Sequence, residues 1–430
     1  MTCKIGLLGL GTVGTGIAQI LLDPQDRHPL LQQMEIRRIG VRDLSAKRQV
    51  EFPPEFFTTN LESIVTDPEL DLIVEVIGGL EPARSLILKA IARGKHVVTA
   101  NKAVIARYGD EIFSAARSNC VYVMLEASVC GGIPIIQLLK QGLGANRLQS
   151  VLGIINGTTN YILSRMLHEG SDFEAVLADA QRLGYAEADP SADIDGYDAA
   201  DKIAILASLA FGDRIKLDRV YREGIRMITA ADIQCAGELG YVIKMLGIAQ
   251  RCGDSEFLDI RVHPTLVPHG HPLATVDGVT NAVFLQGDPI GDLMLAGAGA
   301  GAGATASAIV ADLINTVAAI EANPSQVNPL MGCSHQQYAE VLPIAEVVSR
   351  FYVRLVVREQ PGVIGELGTC FGKHRVSLKS VIQKSDLESA AFANVFVITQ
   401  AVQESSFQSA IAEIRKLASL HSVPTVLRLL

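Results

Sequence analysis

The residues best suited to chemistry lie in the stretch AQRLGYAEADPSADIDGYDAADK, positions 180–202. It contains five closely spaced carboxylates and a lysine, which are Glu187, Asp189, Asp193, Asp195, Asp198 and Lys202. Side chains four residues apart share a helix face, so Asp198 and Lys202 should be neighbours at the start of the apolar helix that follows. A lysine at the mouth of a buried helix is costly unless carboxylates surround it, and such groups are typical of functional sites. The alternative is a solvated acidic loop with one ion pair.

Three other segments place polar groups at the ends of predicted strands. HVVTANK delivers Lys102 to a strand end, where open α/β sheets bind their ligands. LEASVCGGIPI ends the next strand with Glu126 and small residues, and a carboxylate with several backbone carbonyls suits a hard cation. GIINGTTNYIL places small donors in a turn before a helix, suited to a carboxylate; they are Asn156, Gly157, Thr158 and Thr159. A helix cap at Thr159 or Asn160 is the alternative for that turn.

A glycine fingerprint closes the first predicted strand and opens the first helix. Gly9 permits the tight turn, Gly11 lets the backbone approach a pyrophosphate, and Gly14 lets helix and strand pack closely. The N-terminus of the helix adds free N–H groups and the positive end of its dipole. This context predicts dinucleotide binding. Further candidates for contacts with the dinucleotide are Thr12, Val13, Gly78, Lys102 and Gly301.

The end of the second strand, GVRDLSAKR, decides which dinucleotide binds. Arg42 lies at or next to the position that contacts the ribose, and Lys47 and Arg48 follow closely. The forked guanidinium of arginine suits a 2′-phosphate, whereas a carboxylate suits the free 2′-hydroxyl of NAD. Asp43 is the competing residue, and a shift of one position would reverse the preference. We favour NADP(H), with NAD as the alternative.

Composition and patterning set the frame for these sites. A hydrophobic content of 49% over 430 residues allows more than one core. The net charge of −9 argues against nucleic acid as the main partner. No uninterrupted apolar run of about 18 residues predicts a membrane span. The seven scattered cysteines, with no CxxC pair, are typical of reduced thiols. We therefore expect a soluble cytoplasmic protein.

The order of predicted elements indicates an α/β fold with several domains. Strands and helices alternate over residues 1–134, which predicts a parallel, Rossmann-type dinucleotide-binding domain completed by residues 300–322. Residues 135–299 predict an α+β domain with a mainly antiparallel sheet under helices. The glycine–alanine run before residue 305 predicts a tight turn, with a flexible linker as the alternative. Residues 323–347 are typical of a linker. Residues 348–430 show the βαββαβ order of a ferredoxin-like domain.

These segments together resemble homoserine dehydrogenase over essentially the whole chain. The stretch 180–202 is similar to the signature of that family, with Gly184, Asp189-Pro190, Asp198 and Lys202 in place. GLGTVG, TANK, EASVCGGIPI, NGTTNYIL and GATASAIVADL are similar to its other landmarks, in the same order. Ala304 stands where many members have proline. PGVIGELG, after a strand, resembles part of an amino-acid-sensing ACT domain. No kinase-like segment precedes the fingerprint, so we expect the monofunctional form.

The resemblance implies NAD(P)-dependent interconversion of L-aspartate 4-semialdehyde and L-homoserine, in the biosynthesis of threonine, methionine and isoleucine. It implies that Lys102 and Lys202 are the ionisable pair at the reacting oxygen. The implied substrate ligands are Tyr185, Glu187, Asp193, Asp198, Lys202 and Thr158. Asp198 is also implied as a catalytic residue, because it would position Lys202. The implied sodium ligands are Glu126 and the backbone of Val129, Gly131 and Ile133. Two further implications are feedback inhibition by threonine and assembly into a homodimer or homotetramer through the sheet of the central domain.

Two rival interpretations stay open at this point. A different Rossmann oxidoreductase acting on an amino-acid-like substrate would share the glycine fingerprint, but not the block YAEADP…DIDGYDAADK. A regulatory amino-acid-binding protein with an inactive dehydrogenase half would explain the C-terminal segment, but the intact Lys102 and Lys202 argue against it. That segment could also serve oligomerisation alone.

Overall fold

The structure is a computed structural model that describes residues 2–253, 255–324, 326–333, 335, 337–385 and 391–430. Residues 325, 334 and 336 of the predicted linker therefore lie outside the described residues, as do residues 386–390 of the predicted C-terminal domain. The seven cysteines are free thiols.

Seventeen strands are described in chain order. They are β1 (Cys3–Leu8), β2 (Met34–Gly40), β3 (Phe57–Thr58), β4 (Leu72–Glu75), β5 (His96–Thr99), β6 (Val123–Met124), β7 (Arg147–Ile154), β8 (Tyr221–Arg222), β9 (Tyr241–Arg251), β10 (Leu258–Pro268), β11 (Thr280–Asp288), β12 (Gly291–Ala298), β13 (Val348–Arg358), β14 (Leu378–Ser385), β15 (Phe392–Thr399), β16 (Val402–Gln403) and β17 (Leu420–Leu429).

Thirteen α-helices are described in the same residues. They are α1 (Thr12–Leu22), α2 (Leu61–Thr66), α3 (Ala83–Ala92), α4 (Lys102–Ser118), α5 (Ile135–Gln137), α6 (Gly157–Glu169), α7 (Phe173–Arg182), α8 (Ser191–Ile194), α9 (Tyr197–Phe211), α10 (Ala230–Glu238), α11 (Ala302–Ala322), α12 (Val363–Lys373) and α13 (Glu404–Ile414).

The chain forms two compact units. The first unit contains residues 1–155, 201–218 and 280–339, and the second contains residues 156–200, 219–279 and 340–430. The first four residues of α9 belong to the second unit and the rest to the first. The division into three domains and a linker expected from the sequence stays a prediction.

The first unit contains the predicted Rossmann-type sheet. Its six parallel strands follow the order β3-β2-β1-β4-β5-β6. The chain thus adds β2 and β3 on one side of β1, and then β4, β5 and β6 on the other side. Ligands of such sheets bind at the carboxyl ends of the strands, where the order reverses. The fingerprint after β1 lies at this point. A second, antiparallel set of strands, β12-β11-β7, completes the unit.

Helix α11 packs into the core of the first unit, as expected for a tight turn rather than a flexible linker. A Cβ atom on Gly16 of α1 would lie 3.0 Å from the Cβ of Ala306, so the two helices touch at their small residues. Ile309 and Leu313 of α11 are fully buried. By length and composition alone α11 could cross a membrane, but half of that stretch is buried inside the protein, as in a core helix.

The second unit contains a continuous run of strands in the order β9-β10-β17-β13-β15-β14. Within residues 348–430 the elements follow the predicted βαββαβ order, with the short β16 as an addition. The last strand, β17, pairs with β13 on one edge and with β10 on the other, where Thr265 lies opposite Arg428. The C-terminal segment therefore shares one sheet with residues 241–268.

Candidate active site

The dinucleotide turn has the geometry that its sequence predicts. Gly9 adopts a φ of +105°, which side chains rarely allow, and a Cβ on Gly14 would lie 2.1 Å from the carbonyl oxygen of Gly9. A Cβ on Gly11 would meet nothing within 4 Å, so its free space faces a cavity. That cavity has a volume of about 930 Å³ and is lined by Gly9, Gly11, Arg42, Asp43, Lys47, Arg48 and Gly78, among others.

The difference between the two glycines gives a prediction. We expect Gly11→Ala to fold normally but to raise the KM for the dinucleotide at least about tenfold, because the methyl group occupies space that the pyrophosphate needs. Gly14→Ala should instead lower the melting temperature, because its Cβ cannot coexist with the Gly9 carbonyl. Steady-state kinetics and thermal denaturation separate the two effects. Gly144→Ala, also in open space, is the control, and an unchanged KM in Gly11→Ala would contradict the assignment.

The loop that follows β5 is fixed by a buried carboxylate. Glu75 is fully buried at the end of β4, and its side chain accepts hydrogen bonds from the Thr99 hydroxyl at 2.6 Å and from the N–H of Gly78 at 3.3 Å. Burial raises the pKa of Glu75. Asn101 caps α4 by accepting from Val104 at 3.2 Å. Lys102 is therefore the first residue of a helix whose start is held in place. The sequence pattern did not single out Glu75.

Helix α9 carries Lys202 in the first unit. Its Nζ donates to the carbonyl oxygen of Ile155 at 2.8 Å, and the side chain is partly exposed. The preceding residue, Asp201, is buried and pairs with Arg107 of α4 at 2.9 Å. This ion pair joins the helix that begins at Lys102 to the helix that carries Lys202. Sequence spacing offered no signal for Arg107.

In the second unit, one amide brings two predicted carboxylates together. The Nδ2 of Asn156 donates to Asp193 at 2.7 Å and to Asp198 at 2.9 Å. The oxygen of the same amide accepts from the N–H of Thr159 at 2.9 Å and caps α6. Asn156, one position before the first residue of α6, is therefore the cap. The alternative prediction of a cap at Thr159 or Asn160 is wrong. The sequence named Asn156 only as one of the small donors of this turn, and it did not predict that the amide joins Asp193 to Asp198.

The other predicted substrate residues are spread around this loop. The Thr158 hydroxyl donates to the Tyr185 carbonyl at 2.7 Å, and the ring of Tyr185 lies 4.9 Å from that of Tyr161. Tyr185 and Glu187 are exposed. Asp193 is half-buried and Asp198 is buried. The predicted crowding of carboxylates thus holds for Asp193 and Asp198 in the second half of the loop. The backbone carbonyl of Glu187 accepts from the side chain of Gln181, and the Glu187 side chain is exposed to solvent.

The segment predicted to hold a cation places Glu126 beside a second buried carboxylate, Asp312 of α11, which accepts from the N–H of Glu126 at 2.8 Å. Glu126 and Asp312 are 2% and 1% exposed, and burial raises the pKa of Glu126 to about 7 and that of Asp312 to about 6. The Glu126 carboxylate accepts from the N–H groups of Ile136 and Gln137 at 2.8 and 2.7 Å. The negative charge of two buried carboxylates would suit the positive charge of a cation.

Known proteins are similar to this chain over its whole length. The family profile described as "Homoserine dehydrogenase, NAD binding domain" matches residues 9–126, and the one described as "Homoserine dehydrogenase" matches residues 134–314. The homoserine dehydrogenase of a Synechocystis strain is 58% identical over 100% of both chains, and that of Neisseria gonorrhoeae is 42% identical over 99% of this chain and 98% of its own.

Solved structures agree with the sequence relatives. The crystal structure of a homoserine dehydrogenase from Thiobacillus denitrificans superposes with a TM-score of 0.91 at 41% identity, covering 100% of this chain and 98% of the other. The resemblance seen in the sequence motifs is thereby confirmed, and so is the mixed α/β fold with a Rossmann-type domain. The rival Rossmann oxidoreductases are set aside. The chain belongs to the homoserine dehydrogenase family.

Proposed function

We propose that this enzyme interconverts L-aspartate 4-semialdehyde and L-homoserine with a nicotinamide dinucleotide. The observation that carries the proposal is the position of Lys202, whose Nζ is directed by the Ile155 carbonyl and which stands one helical turn after the buried Asp198. The membership of the chain in the family supports the reaction. Initial-rate oxidation of L-homoserine is the test.

The two lysines would act at the reacting oxygen. When bound, the dinucleotide supplies the hydride for reduction of the aldehyde and accepts it in the reverse direction. An ammonium group beside the carbonyl oxygen stabilises the negative charge that develops there and can donate the proton that completes the alcohol. We assign this task to Lys202 with Lys102 as its partner. Asp201, held by Arg107, keeps the helix of Lys202 in place.

The acidic loop would bind the amino end of the substrate. Asp193 and Asp198 present carboxylates to an ammonium group, and Glu187 and Tyr185 can close over it from their exposed positions. The Thr158 hydroxyl is already engaged with Tyr185. We therefore propose that Thr158 meets the substrate carboxylate through its backbone N–H, in the first turn of α6.

The dinucleotide pocket supports a preference for NADP(H). Asp43, the residue that would suit NAD, accepts from both the N–H and the hydroxyl of Ser45, at 2.8 and 2.7 Å, and these bonds lower its pKa. Arg48 is engaged by backbone carbonyls and lies 4.6 Å from the ring of Phe57. Arg42 is exposed at the rim of the cavity, where its guanidinium can reach a 2′-phosphate.

A pair of substitutions tests this preference. We expect Arg42→Ala to raise the KM for NADP roughly tenfold or more, because a charge-assisted bond to phosphate is lost, and to leave the KM for NAD within about twofold. Asp43→Asn is the matched substitution on the neighbouring residue and should leave both values nearly unchanged. If Asp43→Asn weakens NAD binding while Arg42→Ala changes neither cofactor, the pocket is built for NAD.

We further propose a sodium site at the turn after β6. Glu126 would supply its carboxylate, and Val129, Gly131 and Ile133 would supply backbone carbonyls. The support is the pair of buried carboxylates, Glu126 and Asp312, whose negative charge a cation would balance.

We also propose that residues 348–430 form an ACT domain that binds threonine and inhibits the enzyme. The βαββαβ order and the PGVIGELG segment support this proposal. We also propose that the protein assembles into a homodimer or homotetramer and that it is located in the cytoplasm. Because β17 shares a sheet with β10, threonine should be titrated against the full-length chain rather than against a truncated one.

A further inference from the structure

The acidic loop, defined as residues 187–198, is held by a second segment, residues 221–226, which we name the bracing segment. The N–H of Ile225 donates to the carbonyl of Ile194 at 2.9 Å. A Cβ on Gly224 would lie 2.4 Å from the same carbonyl oxygen, so the two backbones pack directly on each other. The guanidinium of Arg222 lies 3.7 Å from the ring centre of Tyr197.

Arg226 adds side-chain hydrogen bonds to the same loop. Its Nε and Nη2 donate to the two carboxylate oxygens of Asp195 at 2.6 and 3.0 Å, and Nη2 also lies 3.3 Å from the Ser191 hydroxyl. Asp195 ends the short helix α8, between Asp193 and Asp198. Two parallel bonds fix the direction as well as the distance of a carboxylate. Arg226 therefore fixes the turn that presents Asp193 and Asp198 to the amide of Asn156.

The other end of the bracing segment is anchored in the last strand. Arg428 is 1% exposed and donates to Glu223 at 2.9 and 3.2 Å and to Glu404 at 2.9 Å through each of two nitrogens. The two carboxylates raise its pKa, although burial acts in the opposite direction. The Tyr221 hydroxyl donates to Glu223 as well. The bracing segment thus connects the C-terminal strand to the acidic loop.

We propose that the bracing segment positions the acidic loop for substrate, with Arg226 and Glu223 as positioning residues and Arg428 as the anchor. This inference rests on the proposed function, because it assumes that the acidic loop binds the amino end of homoserine. Arg226 and Asp195 are 48% and 32% exposed, so their ion pair adds little to stability. Its effect should therefore appear in substrate binding rather than in unfolding.

The first test compares two arginine substitutions in the full-length enzyme. Arg226→Ala should raise the KM for homoserine about tenfold, with kcat and the KM for NADP within about twofold, because the turn that carries Asp193 and Asp198 is then no longer held in the orientation that binds substrate. Arg226→Lys, which keeps the charge but not the fork, should recover part of the loss. Arg182→Ala removes an exposed arginine of the same unit that pairs with Asp179 instead, and should leave every constant unchanged.

The second test addresses the anchor. Glu223→Gln keeps the shape of the side chain and removes the charge that faces Arg428, so it should raise the KM for homoserine in the same direction as Arg226→Ala. An unchanged KM would show that Arg428 does not anchor the bracing segment for substrate binding. If the unaltered enzyme does not oxidise homoserine, the proposed function fails. If it does, and Arg226→Ala behaves like Arg182→Ala, the positioning role alone is refuted.

Discussion

Replacing Lys202 by alanine should lower kcat for homoserine oxidation by more than about 100-fold, which is about 2.7 kcal/mol of transition-state stabilisation. We propose that its ammonium group meets the charge on the reacting oxygen, and such preorganised donors act in the transition state. The fold should survive, because Lys202 is only partly buried and its Nζ bonds to the Ile155 carbonyl, which water can satisfy instead.

Two further variants separate charge from proton transfer at this position. Lys202→Arg keeps the positive charge but holds its proton too tightly to give it up, so it should remain impaired. Lys216→Ala, on an exposed lysine of the same unit, should show unaltered kinetics. Binding of NADP, measured by fluorescence or calorimetry, should be unchanged in all three. Near-normal turnover in Lys202→Ala would show that another group performs the proton transfer.

Asn156→Asp should lower kcat/KM for homoserine by at least about 100-fold. The substitution replaces the amide that donates to both Asp193 and Asp198 with a third carboxylate. Carboxylates this close cannot all ionise, so one would hold a proton and the arrangement that receives an ammonium group would be lost. The helix cap itself should remain, because aspartate caps helices as well as asparagine does.

The matched control is the same change at another helix cap. Asn60 caps α2 by accepting from the N–H of Ser63 at 3.2 Å, and it bonds to no carboxylate among the described residues. Asn60→Asp should therefore leave the kinetics and the melting temperature nearly unchanged. If Asn156→Asp retains full kcat/KM, the shared amide is only a structural cap and the two carboxylates do not bind substrate together.

The sequence predicted those features that depend on local pattern. The glycine fingerprint, the parallel strands and the first helix follow from periodicity and turn chemistry, and the structure confirms them. Asp198 and Lys202 could be placed on one helix because their spacing alone decides it. The tight turn before α11 also followed from composition, since a flexible linker would carry more serine and charge.

The contacts that organise the site could not be predicted in this way. Asn156 and Asp198 are 42 positions apart, Arg107 and Asp201 are 94 apart, and Arg428 and Glu223 are 205 apart. Side chains so distant along the chain are brought together by the tertiary fold, and their residue types are common on any surface. The pairing of β17 with β10 is of the same kind, because strand order at a sheet edge is set by tertiary packing.

The reaction is best tested by the initial rate of L-homoserine oxidation, measured with NADP and with NAD and repeated with added threonine. We expect turnover with both cofactors, a lower KM for NADP, and a fall in rate as threonine is added. Turnover that prefers NAD would still support the proposed reaction, but it would indicate that Asp43 rather than Arg42 determines which dinucleotide binds. The absence of homoserine oxidation with either cofactor, by a folded protein that binds NADP, would contradict the central claim.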